Sequence, residues 1–170
     1  MSDKSNDTPL KKVCIICAKG NIEDVYASLV MANGAVMEGI EAKLFFTFFG
    51  LDAITKKGKR MFKLHTPTVG NPALRFPNGW RVPTWMGAIP GMEGMTSSMM
   101  KKEMDKLDIP PVDEFMEMIV AGGGEIYACK LAMDMFKLKK EDLYDDVKGV
   151  LTVGEFYEMS GGENTQIIFT

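Results

Sequence analysis

Two short apolar runs, each followed by a glycine-bearing turn and a helical pattern, constrain this chain more than any other feature. Val13–Cys17, VCIIC, is apolar at every position. Such a run reads as a strand buried on both faces, which belongs inside a parallel sheet. AKGN then turns the chain, and Asn21 can cap a helix whose first turn carries Glu23 and Asp24, where negative charge is favoured. Ile22, Val25, Tyr26, Leu29, Val30 and Val36 form one apolar stripe at helical spacing, which predicts a helix to about Met37. Gly34 interrupts it, and close packing on the sheet would explain a poor helix former there. Lys43–Phe49, KLFFTFF, is the second strand, Gly50 turns, and Leu51–Lys57 is a short helix. Strand, helix, strand, helix with short loops means parallel pairing through right-handed crossovers.

Arg60–Gly91 breaks that rhythm. It holds five of the eight prolines, both tryptophans (Trp80 and Trp85) and His65, the only histidine. A loop this long in a compact domain is usually a lid, a binding loop or an oligomer contact. Gly91–Leu107 reads as a methionine-rich helix, with Met92, Met95, Met99, Met100 and Met104. Val112–Ala121 is a further helix after Pro110–Pro111. Glu125–Ala128 is a strand leading to Cys129 and another helix. Lys137–Asp146 is charged surface, Val147–Leu151 a short strand, and Thr152 with Glu155 a capping box. Thr165–Phe169 is the last strand. The sum is an α/β fold: a flavodoxin-like open parallel sheet of four or five strands with helices on both faces. Residues 1–10 read as a disordered tail. Residues 11–170 read as one domain with a loop and Met-rich helical insertion at about 60–107.

Net charge is -3, which gives no footprint for nucleic-acid binding. No apolar stretch is long enough for a transmembrane segment. Three cysteines are too few for a disulfide framework and fit a reducing compartment, so the expected location is cytoplasmic. Cys129 is the candidate catalytic residue. A cysteine at the end of a strand and the start of a helix sits where unpaired backbone N–H groups favour a thiolate, with Lys130 beside it. The competing reading is a buried small hydrophobe. Cys14 and Cys17 form C-x-x-C inside an apolar run, which suits a thioredoxin motif poorly. Cys17 ends the first strand. In a flavodoxin-like order the first strand neighbours the third, which would bring Cys17 and Cys129 together and make Cys17 a possible second thiol. A zinc site lacks a second ligand pair. Copper would suit methionine and cysteine, but packing accounts for the methionines equally well. No metal and no cofactor is expected. Lys56, Lys57, Lys59, Arg60 and Lys63 form a basic run that suits a solvated helix end or an acidic partner.

FFTFFGLDAITKK (Phe45–Lys57), ANG (Ala32–Gly34), the Met-rich insert (Met86–Met104) and ACKLAMDMF (Ala128–Phe136) together resemble the DsrE/DsrF-like sulfur-relay family. They are most similar to its branch with a long Met-rich insertion. The resemblance spans nearly the whole chain after Leu10. It implies a flavodoxin-like sheet and homo- or hetero-oligomers. It also implies a persulfide-bearing cysteine, at Cys129, that takes sulfur from a donor protein and hands it to an acceptor protein. Some relatives in this branch associate with membranes, so a peripheral membrane contact is compatible. Whether the sulfurtransferase turns over as an enzyme stays open. The alternative is a non-catalytic flavodoxin-like module that binds a small ligand or serves oligomeric interaction, with Cys129 incidental.

Overall fold

The computed structural model describes residues 10–57 and 91–170. His65, both tryptophans, Lys59, Arg60 and Lys63 lie outside the described residues, as do most of the expected tail and long loop. Five strands form: β1 (Lys12–Cys17), β2 (Glu41–Phe46), β3 (Glu125–Cys129), β4 (Val147–Leu151) and β5 (Thr165–Phe169). The helices are α1 (Ile22–Met37), α2 (Met92–Lys106), α3 (Val112–Ala121), α4 (Lys130–Phe136) and α5 (Val153–Ser160). All strands are parallel, in the order β4-β3-β2-β1-β5. The expected open parallel sheet is therefore present with five strands.

Alternation along each strand sorts the core into two faces. Ile15, Leu44 and Ile126 lie on one face, with Cys17, Phe46 and Ala128 beyond them. All six are fully buried, and α1 and α3 pack together over this side. The other face carries Phe45, whose ring stacks on Phe156 of α5 at 4.7 Å. Lys12 reaches the end of α5, donating to the carbonyls of Met159 and Gly161 at 2.8 and 2.9 Å. Thr152 caps α5 through the predicted capping box with Glu155.

Four local expectations change. The second strand starts two residues earlier and stops at Phe46, because Phe48–Ile54 winds into a 3-10 helix. That 3-10 helix replaces the expected α-helix over Leu51–Lys57. Gly34 does not pack on the sheet: a side-chain carbon built there would meet nothing within 4 Å. The charged stretch after α4 is not wholly surface, since Leu143 is 1% exposed and Tyr144 N–H bonds the Ile54 carbonyl at 2.9 Å.

Candidate functional site

Cys129 is the last residue of β3 and the N-cap of α4. Its backbone is extended, and its strand partner is Leu151 of β4. On the opposite flank, Phe46 pairs with Ala128, so Thr47 and Phe48 leave β2 beside Cys129. Cys129 is 5% exposed. Lys130, expected to help it, instead makes an ion pair with Asp134 at 3.3 Å within α4.

The rim is apolar. Phe48, Leu131 and Val153 are each about half exposed or more. Phe48 comes off β2, Leu131 off α4, and Val153 opens α5. The 3-10 helix touches both β3 and α4, and the Phe49 ring lies 6.0 Å from that of Phe136. Glycines let the loops close up here. A side-chain carbon at Gly50 would stand 2.3 Å from the Cys17 carbonyl oxygen, and one at Gly20 would stand 2.7 Å from that of Phe49.

Cys17 does not meet Cys129. β2 lies between their strands, where the expected order would have made them neighbours. Two strand spacings amount to roughly 9–10 Å, beyond the ~7 Å that a disulfide spans. Alternation also turns the two residues to opposite faces: Cys17 shares the α1 side with Phe46, and Cys129 shares the α5 side with Tyr127 and Phe45. Cys17 is wholly buried. Its Sγ donates to the Lys19 carbonyl at 3.5 Å. The hydroxyls of Ser28 and Thr170 lie beside it and 2.6 Å from each other. Burial pushes the Cys17 thiol up, outweighing the hydrogen bonds that favour its thiolate. Burial likewise pushes up Cys14. Cys14 and Cys17, three residues apart on one strand, also face opposite ways. Neither pair can form a disulfide in this fold.

A polar network with no sequence signature sits at the amino end of β3, on the α5 side. Lys43 bonds Glu125 at 2.7 Å and Glu41 at 2.8 Å. Tyr127 Oη donates to Glu125 at 2.8 Å, and Lys148 also reaches Glu125. Burial works to raise the Glu125 carboxyl, but the hydrogen bonds from Lys148, Lys43 and Tyr127 prevail and hold it at about 2. The members are far apart in sequence, so no local pattern could have marked them. The network sits at the other end of β3 from Cys129. Among the described residues, no three His, Cys, Asp or Glu side chains converge as a metal site. No helix among them is long and apolar enough to cross a membrane.

This open parallel sheet, with a cysteine where a strand hands over to a helix, defines a class of small α/β proteins. The chain belongs to the DsrE/DsrF/DrsH-like family, whose pattern matches residues 9–168. It is 32% identical to "Sulfur carrier protein DsrE2" of Allochromatium vinosum, over 89% of this chain and 93% of that one. It is 27% identical to "Uncharacterized protein YrkE" of Bacillus subtilis, over 81% of this chain and 84% of the other. The fold is similar to the crystal structure of the ychN protein from E. coli, with a TM-score of 0.56 and 13% identity over 94% of this chain and 99% of that one. The family and its carrier relative support a sulfur-relay role.

Proposed function

We propose that the protein is a sulfur carrier that holds a persulfide on Cys129 and passes the outer sulfur to a partner thiol. The observation that carries this reading is the placement of Cys129 at the carboxyl end of β3, opening α4, in a chain 32% identical to a sulfur carrier. In the loading step the Cys129 thiolate attacks the outer sulfur of a donor persulfide. One S–S bond forms, the donor's S–S bond breaks, and the donor leaves as a thiolate. In the second step an acceptor thiolate attacks the outer sulfur of Cys129–S–SH and Cys129 leaves as the thiolate. Each step is redox-neutral exchange between thiolates, and neither needs a metal or bound cofactor.

Cys17 lies two strands from Cys129 and faces the other way, and Cys14 lies level with Lys43 and Glu125 at the far end of β3, which supports a relay without a resolving thiol in the same chain. In this reading sulfur leaves to another molecule, which suits donor and acceptor proteins in a reducing compartment such as the cytoplasm. Near-complete burial of Cys129 fits a persulfide that has to be kept from over-oxidation between partners, and loading requires the rim to shift. Homo-oligomer assembly is part of the reading. Val30, Met31 and Met37 on α1 and Ile167 and Phe169 on β5 are all exposed apolar side chains, a surface that a second copy can cover.

Intact mass after incubation with a polysulfide donor tests the carrier role. Wild type is expected to gain one reducible sulfur, Cys17→Ser to gain it too, and Cys129→Ser to gain none. Absence of the gain in reduced, folded wild type refutes the carrier reading. Loss of the gain in Cys17→Ser as well would make the site a cysteine pair.

A further inference from the structure

The outward face of α1 is apolar. Between Asp24 and Glu38 the helix carries no charged side chain, and its inner face packs into the core through Val25, Leu29, Ala32 and Ala35. A helix that is apolar all round is ordinarily covered on every side. Here Ala27, Val30, Met31, Gly34 and Met37 all stand in solvent, with Val30 54%, Met31 42% and Met37 79% exposed. Ala27, Val30, Gly34 and Met37 follow at intervals of three, four and three residues, the spacing of a seam that faces another helix. Gly34 weakens the helix without a reason inside the chain, since a side-chain carbon there would meet nothing within 4 Å. With Ala27 it leaves a shallow hollow, and the turn of the helix sets Val30 and Met37 along one side of it and Met31 along the other. The stripe thus carries both the hollows and the projections of a helix contact, as a two-fold contact with itself requires.

We propose that α1 is the surface through which two copies of this chain associate, by two-fold packing of this stripe on the same stripe of the second copy. The proposal rests on the oligomeric part of the carrier reading and names its contact. Other occupants fit worse. α1 has no Lys or Arg, so it lacks the basic rim by which surface helices hold anionic lipid. Residues 1–9, MSDKSNDTP, are almost wholly polar. Ile167 and Phe169 of β5 lie level with Cys14 and Ile16 on the α5 side of the sheet, away from α1 and outside this contact. At ~200 Å² for a large side chain, the exposed parts of Val30, Met31 and Met37 leave roughly 350 Å² of apolar surface per copy. A pair would bury about 700 Å² before its rim is added, which is the range of weak, concentration-dependent complexes.

Sedimentation equilibrium of the full chain across the micromolar range tests the contact, with circular dichroism to confirm that each variant is folded. Wild type is expected to pass from monomer to dimer as concentration rises. Val30→Glu would bury a charge in the seam and should leave a monomer. Gly34→Leu separates a fitted contact from general stickiness. Within one chain the leucine meets open space and is the better helix former, so folding is kept. Filling the hollow should nevertheless weaken association by about tenfold or more, whereas stickiness would increase. Ile167→Lys should leave association unchanged. A wild type that stays monomeric, alone or bound to phosphatidylserine vesicles, overturns the assignment. So does a Gly34→Leu variant that associates as well as wild type, or a dimer lost in Ile167→Lys and kept in Val30→Glu. No sulfur donor is present, so the two readings fail separately. A monomeric wild type that gains sulfur refutes only the α1 contact, and a dimeric wild type that gains none refutes only the persulfide chemistry.

Discussion

Replacing Glu125 by glutamine should remove a measurable acid dependence of folding. The carboxylate accepts from Lys43, Tyr127 and Lys148 and is 22% exposed. Its folded-state value is about 2, against 4.5 for the free group. The shift is downward, so the network's stabilisation is fully present above 4.5 and is lost as pH falls toward 2. At about 1.4 kcal/mol per unit the whole effect is about 3 kcal/mol, an upper figure because the largely exposed Lys148 is screened by water. Linkage places about 2 kcal/mol of that loss above pH 3. Urea unfolding followed by circular dichroism between pH 7 and pH 3 gives the assay. At neutral pH Glu125→Gln should be less stable than wild type by about 2–3 kcal/mol, since it also leaves Lys43 with Glu41 alone. The two curves should converge as pH drops below 4.5. A difference that stays constant over the range would refute the argument, because it would mean the network does not hold the carboxyl down.

Two glycines should respond in opposite directions. Gly34→Ala in α1 meets open space and should stabilise the chain by about 0.5–1 kcal/mol in the same unfolding assay. Gly50→Ala would drive a side-chain carbon against the Cys17 carbonyl oxygen. It should destabilise by about 1–3 kcal/mol and raise the alkylation rate of Cys129 as the β1 and β2 loops part.

The strands and helices were legible because the local periods are strong. VCIIC and most of the α1 stripe fall where they should, Val30 alone turning outward, and the Thr152–Glu155 box caps α5 as its spacing requires. Strand order was not legible. Right-handed crossovers fix the direction of each step, but nothing in a short apolar run says which neighbour it will take. That single gap misplaced Cys17 relative to Cys129. Gly34 misled for a related reason, since a residue's type does not tell which way its helix face points. The Glu125 network joins Lys43 to a residue 82 positions away.

The strand order also bears on what kind of site this fold offers. In doubly wound sheets a small ligand binds outside the carboxyl ends of the strands, where the winding direction reverses. Here β1 continues through α1 to β2 on one side, while β5 arrives on the other, so the reversal lies between β1 and β5. Among the described residues, polar groups bond to one another at that point. Ser28 and Thr170 hydroxyls close on each other at 2.6 Å, Thr170 N–H bonds the Ile16 carbonyl at 2.9 Å, and Cys17 beneath them is wholly buried. Cys129 stands two strands away. A carrier that exchanges sulfur with other proteins has no need of that crevice, and the proposed reading puts the sulfur on Cys129 instead.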